Sequence, residues 1–181
     1  MKEIRVHGRG GMGNVTAAEL LAEAAFADGK YAQAFPSFGA ERQGAPVVAF
    51  VRISDKPIRL RQQVYEPDYL IIQDAGLLYS ANVLSGLKPG GAVLVNTTRP
   101  GDELPIDKGF KIYTVPALRV AIEVIGRPIF NVVMVGAFAC ATGMVKLDAV
   151  MEAIKARFPG ELGEKEALAT REACEQIGEC G

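Results

Sequence analysis

Six consecutive residues, Gly8-Arg9-Gly10-Gly11-Met12-Gly13, offer the clearest chemistry in this chain. Four glycines in six positions let the backbone turn through positive φ and approach a ligand closely. A helix that starts just beyond them would aim unpaired N–H groups at an anion. Gly8, Gly10, Gly11 and Gly13 are therefore candidate ligand-binding residues, suited to cradling a phosphate or pyrophosphate. The same run would also serve as a tight turn that packs a helix on a sheet, or on a partner chain, with no ligand. His7, the single histidine, precedes the run, where it could contact a ligand, titrate near neutrality or simply pack.

Two further features bear on ligand type. Between positions 42 and 61 stand Arg42, Arg52, Lys56, Arg59 and Arg61 against the single acid Asp55. Guanidinium groups match phosphate oxygens in bidentate fashion, which makes Arg42 the fifth candidate site residue, although any of these cations would equally suit a solvated edge or a salt bridge. A dinucleotide site would place an acid near the end of the second strand, about twenty residues after the glycines. The stretch Gln33-Ala34-Phe35-Pro36-Ser37 has none, so an independent dinucleotide-dependent enzyme is the weaker reading.

The elements that must hold these residues can be read from periodicity. Residues 2–7 form a strand, the glycine run follows, and residues 14–28 form a helix with Ala18, Leu21 and Ala25 on one face and Gly29 as its stop. Residues 31–35 and 46–53 read as strands, as do the short apolar runs 69–72, 92–95 and 111–115. From Pro116 the pattern turns helical. Residues 117–125 close at Gly126, Asn131 is placed to cap a helix over 132–144, and residues 148–158 and 164–177 form two more. The expected fold is a three-layer α/β/α unit with a mostly parallel or mixed sheet, a Gly-rich loop after the first strand and a helical C-terminal part. No repeat or linker divides it, and residues 1–181 are taken as one domain, with Pro159-Gly160 as the only weak boundary.

Composition excludes several function classes. With 181 residues the chain suits one core, burying roughly 70% of its unfolded surface. Twenty Lys and Arg against twenty-one Asp and Glu give a net charge of −1, so no nucleic-acid partner and no polybasic membrane attachment is expected. Hydrophobic residues at 49% and a mean hydropathy of +0.16 suit a sheet covered on both faces or a surface buried by partners. Positions 128–145 carry no charge, but Asn131, Gly136, Thr142 and Gly143 interrupt them, and a buried helix explains them better than a membrane span. Three cysteines, Cys140, Cys174 and Cys180, are too few for an iron–sulfur cluster, no metal site is expected, and a cytoplasmic location is the simplest. Cys140 reads as inert within a small-residue helix, and the other two as incidental. From local chemistry alone this is a binding subunit.

Three segments carry a resemblance: IRVHGRGGMGNVTAAELLAEAAFADGKYAQAFPSFGAERQGAPVVAFVRIS over 4–54, YLIIQDAGLL over 69–78 and GRPIFNVVMVGAFACATG over 126–143. Their order and content resemble the gamma subunit of 2-oxoacid:ferredoxin oxidoreductases, especially pyruvate synthase. The resemblance implies a reaction in which a 2-oxoacid, coenzyme A and oxidised ferredoxin give acyl-CoA, carbon dioxide and reduced ferredoxin. It implies alpha, beta and delta-type partner subunits that carry thiamine diphosphate and iron–sulfur clusters, with this chain binding no cofactor of its own and inactive alone. Coenzyme A is implied as a substrate at a shared site, where Gly10, Gly11 and Gly13 offer backbone donors and Arg42 a charge. A subunit that only supports assembly is the alternative. The family commonly carries Gln where Met12 stands, so side-chain amide contacts from that position are not available here.

Overall fold

The computed structural model describes residues 1–37 and 43–180. Its frame is a seven-stranded mixed sheet in the order β2-β3-β1-β4-β5-β6-β7. The strands are β1 Lys2–Arg9, β2 Tyr31–Pro36, β3 Pro46–Ser54, β4 Tyr69–Ile72, β5 Ala92–Asn96, β6 Lys111–Val115 and β7 Gly178–Cys180. Strands β1, β4, β5 and β6 run parallel, while β3, β2 and β7 are antiparallel to their neighbours. The short apolar runs 69–72 and 92–95 form β4 and β5 at the centre of the sheet, where both their faces are covered. Ile71 and Leu94 pack on one side, and Leu70, Ile72, Val93 and Val95 on the other.

The two covering layers are unequal. Helices α1 Asn14–Ala27 and α4 Asn131–Thr142 lie on one face, and α5 Leu147–Arg157 and α6 Glu161–Cys174 pack against them. The opposite face is closed by the one-turn helix α2 Leu77–Ser80, a 3₁₀ turn at Gly101–Glu103 and connecting segments that contribute Val83, Leu87, Leu104 and Ile106. The charge-free stretch is α4, whose residues from Val132 to Ala139 are all buried. Among the described residues no helix is long and apolar enough to cross a membrane.

Two local expectations are corrected, and one alternative left open by the sequence is decided. Residues 117–125 form one turn of α-helix, α3 Ala117–Val120, followed by a π-helical turn, Ala121–Ile125. Gly126 N–H is shared between Ala121 O at 3.2 Å and Ile122 O at 3.1 Å, which widens the last turn. Helix α6 starts at Glu161 and stops at Cys174, because the residues after it leave to pair with β6 as β7. Arg52 is not a ligand-facing cation: it is fully buried, with Nε donating to Glu3 Oε1 at 2.8 Å and Nη2 to Gln62 O at 2.7 Å. Its guanidinium carbon lies 5.3 Å from the Phe35 ring centre, so it ties three strands to the segment after β3.

Cys140 and Cys174 are not incidental. A Cβ at Gly136 would overlap the Thr170 side chain, so glycine is what lets α4 and α6 approach this closely. One turn further along each helix Cys140 and Cys174 are joined by a disulfide, with Cα atoms 5.8 Å apart. The pair is 34 residues apart in sequence, a separation for which chain entropy gives a stabilisation of about 4 kcal/mol. Reductant should therefore lower the melting temperature of the chain. Cys174→Ser should be as unstable as the reduced protein and indifferent to reductant in thermal melts.

Glu166, on α6, is buried with Oε2 unpartnered among the described residues, and burial pushes its carboxyl up to about 7. The folded state thus holds this proton more tightly than the unfolded state does. The associated stability is full below the ordinary carboxyl range and is lost as pH rises through 7. Glu166→Gln should stabilise by up to about 3 kcal/mol at pH 8 and by little at pH 4, measured by urea unfolding at both values.

Candidate functional site

Chain direction at the sheet's carboxyl end creates the site. After β1 the chain passes through the glycine loop into α1 on one face; after β4 it passes through Gln73-Asp74-Ala75-Gly76 into α2 on the other. Connections that diverge to opposite faces leave a crevice between adjacent parallel strands, the usual ligand position in open α/β sheets. Here the crevice widens over β5 and β6 into a cavity of about 650 Å³ that includes Met12, Gln73, Asn96, Pro116 and Phe130.

Within the loop the four glycines do different work. Gly8 is still in β1, and a Cβ there would overlap the Asn14 carboxamide, so its role is to house that buried side chain. Gly10 pairs with Gln43, and its N–H donates to Ala45 O at 2.9 Å. This corrects the expectation of a free donor at Gly10, since the carbonyl of Ala45, just before β3, already takes it. Gly11 has φ +91° with open space about its Cα. Gly13 caps α1 with φ +73° and lies so near α4 that a Cβ would stand 2.5 Å from Asn131 Nδ2. Asn131 accordingly does not cap α4 as its sequence position suggests; it donates to Gly13 O at 3.3 Å, joining the starts of two helices.

Helix α1 begins without a side-chain cap and without an acid in its first turn. Among the described residues the N–H groups of Gly11, Gly13, Asn14, Val15 and Thr16 make no hydrogen bond, whereas Met12 N–H bonds to Arg9 O at 3.1 Å. Free N–H groups at a helix start attract anions, and nothing in this turn competes for them. Met12 contributes no amide, yet it is placed: its sulfur accepts from Arg9 N–H at 3.3 Å and its side chain lines the cavity.

The far wall is a run of amides that sequence reasoning missed. Asn14 Nδ2 donates to Arg9 O at 3.2 Å, Gln73 Nε2 donates to Asn14 Oδ1 at 2.6 Å, and Asn96 Nδ2 donates to Gln73 O at 3.1 Å. Gln73 is 1% exposed, and its Oε1 has no partner among the described residues. An unmet buried acceptor ordinarily costs about 1–3 kcal/mol, so it marks a place where a ligand gains. The available signal was positional: Gln73 and Asn96 stand where parallel strands end, the first just past its apolar run and the second closing it. Arg9 forms an ion pair with Asp74 and donates to Gly44 O at 3.3 Å, fastening the loop to both neighbours.

His7 is not brought to this cleft. It lines a separate cavity of about 150 Å³ with Val48, Leu77 and Val83, and burial, aided by Arg5, pushes its imidazole down to about 3. It is neutral in any physiological buffer. Arg42 lies outside the described residues. Cys180 is the one free thiol, and among the described residues no group of three His, Cys, Asp or Glu is arranged to hold a metal ion.

Fold and site together define an α/β unit, covered on both faces, whose crevice at the sheet's carboxyl end joins an uncapped helix start and buried amides to the charged side chains Asp74, Arg119 and Glu123. The chain belongs to the pyruvate ferredoxin/flavodoxin oxidoreductase family, whose model matches residues 3–176. It is 57% identical over 177 residues to pyruvate synthase subunit PorC of Methanocaldococcus jannaschii, covering 98% of this chain and 97% of that one. It is 55% identical to the pyruvate/ketoisovalerate oxidoreductases common subunit gamma of Thermococcus litoralis, covering 97% of each. The crystal structure of pyruvate oxidoreductase subunit PORC from Thermotoga maritima superimposes with a TM-score of 0.86 at 39% identity, covering 98% of this chain and 97% of that one. The resemblance read from the three sequence segments is thereby established over nearly the whole chain.

The Gly13–Asn131 approach can be tested directly. Gly13→Ala should destabilise by about 2 kcal/mol through both the left-handed backbone and the crowded amide. Adding Asn131→Ala should relieve the crowding but not the backbone strain. A double-mutant cycle by chemical denaturation should therefore show a coupling of at least about 0.5 kcal/mol.

Proposed function

We propose that this chain acts as the gamma subunit of a multisubunit pyruvate:ferredoxin oxidoreductase, binding the phosphates of coenzyme A at the start of α1. The reaction joins a 2-oxoacid, coenzyme A and oxidised ferredoxin to give acyl-CoA, carbon dioxide and reduced ferredoxin. The relatives named as pyruvate synthase and pyruvate oxidoreductase subunits support the reaction class and the membership of a complex. Pyruvate is the first choice of 2-oxoacid. The Thermococcus relative is named as common to pyruvate and ketoisovalerate enzymes, which favours substrate choice residing on other subunits.

Division of chemistry among chains follows from what this one lacks. The iron–sulfur clusters are assigned to the alpha, beta and delta-type partners because three cysteines, two of them joined to each other, cannot ligate a cluster, and thiamine diphosphate is assigned to those partners on the family resemblance. Electrons reach ferredoxin through those partners. The chain is one unit over residues 1–181, works in the cytoplasm and is inactive alone.

The observation that carries the coenzyme A reading is the uncapped, acid-free start of α1, whose N–H groups at Gly11, Gly13, Asn14, Val15 and Thr16 make no hydrogen bond among the described residues. Several oriented N–H dipoles suit a pyrophosphate. The sequence adds Arg42 as the cation of this site. In the complex assembled with its partners, Gly11→Val and Arg42→Ala should each raise the KM for coenzyme A roughly tenfold and leave that for pyruvate unchanged, in coenzyme A-dependent viologen reduction. Unchanged coenzyme A kinetics in both variants, with assembly intact, would leave this chain with assembly alone.

A further inference from the structure

Strand β2 stands at one end of the strand order and pairs only with β3. One bond tells which of its backbone groups face outward. Ser37 N–H donates to Val48 O at 2.9 Å, in register with the ladder that sets Phe35 opposite Phe50. Hydrogen-bonded pairs alternate along an antiparallel ladder, so Tyr31, Gln33 and Phe35 turn their peptide groups to β3, and Ala32 and Ala34 turn theirs away from the sheet. Among the described residues those outward N–H and C=O groups have no partner.

Natural sheets guard an open edge with charged side chains, proline, bulges or a covering segment. Residues Tyr31–Pro36 carry no charge, and Pro36 at the far end is the one such guard in the strand. The segment after β3 comes close without closing the edge. Gln33 Nε2 donates to Leu60 O at 3.1 Å, and Arg52 Nη2 to Gln62 O at 2.7 Å. Arg52 Nη1 also donates to Gln33 Oε1 at 3.3 Å, so both side chains project from the same face, and the segment crosses that face rather than the edge.

This segment supplies charge. Lys56, Arg59 and Arg61 are exposed, face Asp55 as the only acid of residues 55–61, and join no ion pair among the described residues. Arg59 and Arg61 flank Leu60, the residue tied to Gln33. A chain of net charge −1 thus sets unpaired cations beside an uncharged strand edge. Charge also selects the occupant. Two-fold pairing of β2 with a second copy, Ala32 opposite Ala34, would put Gln33 on the axis and both Arg59–Arg61 segments beside it, like charge against like. We propose that the β2 edge receives an extended acidic segment of a neighbouring subunit of the oxidoreductase complex as an added strand, with Ala32 and Ala34 making the main-chain hydrogen bonds and Lys56, Arg59 and Arg61 pairing with its carboxylates.

This rests on the reading of the chain as a subunit of that complex. The other subunits are titrated against the unaltered chain, Ala34→Pro, and the double variant Arg59→Glu with Arg61→Glu. Proline at position 34 deletes an outward N–H and leaves every ladder bond to β3 in place, and the two arginines are exposed, so neither variant should lower the melting temperature of the isolated chain. Each should weaken assembly at least roughly tenfold, and the charge reversal should also flatten its salt dependence. Residue-resolved hydrogen exchange should show the Ala32 and Ala34 amides slowed at least about a hundredfold in the complex relative to the isolated chain. If Ala34→Pro melts lower, the charge reversal and the exchange rates decide alone.

Normal assembly of either well-folded variant, or equal exchange at Ala32 and Ala34 in the free and assembled chain, overturns the proposal. So does self-association of the isolated chain that Ala34→Pro abolishes, or assembly that nuclease destroys, since a second copy or a nucleic acid then occupies the edge. If the unaltered chain recruits no other subunit, the gamma-subunit reading falls as well. If it assembles and the variants do too, only the edge assignment is lost.

Discussion

One backbone carbonyl, that of Arg9, sets the polarity of everything at the ligand end of this fold. Because it can only accept, it orients the Asn14 amide, which orients Gln73, whose own backbone carbonyl receives Asn96. The chain of donors therefore spans β1, β4 and β5 in a single direction. It holds the two diverging connections at a fixed separation, with Arg9 and Asp74 paired across the same gap. A buried amide chain of this kind is worth its desolvation only when nearly every member is satisfied, so Gln73 Oε1, without a partner among the described residues, stands out against the completed bonds.

That constraint explains why glycine is needed where it is. Asn14 can be buried beside β1 only because Gly8 has no side chain, and Asn131 can reach across to α1 only because Gly13 has none. The glycine loop is thus a packing device as well as the proposed anion site. Its donors to an anion are the N–H groups left over once Gly10 and Met12 have used theirs within the fold.

Most of the cations near the sheet are already engaged. Arg5 donates to the carbonyls of Val83 and Ser85, Arg9 to Asp74 and Gly44, and Arg52 to Glu3 and the carbonyl of Gln62. A near-neutral chain that uses these arginines to fasten connecting segments leaves the proposed anion site to oriented peptide dipoles, with Arg42 as its cation. Such recognition is compatible with a site completed by another subunit, since backbone donors keep their direction whatever covers them.

What the sequence determined by itself was local. Alternating and continuous apolar runs named the strands from Lys2 to Val115, and the glycines at positions 8–13 marked the strand-to-helix turn, because periodicity and left-handed backbone are properties of neighbouring residues. Family membership was legible for the same reason, in contiguous segments. What only the tertiary structure decided was everything that depends on residues far apart meeting. Asn131 was diverted from capping α4 to holding Gly13; Cys140 met Cys174 through helix packing; Arg52 was buried and His7 turned to a separate cavity; and Gln73 was left with an oxygen that has no partner among the described residues. In each case a polar group chose its partner by distance across the fold, and a linear pattern carries no information about which partners that distance will offer.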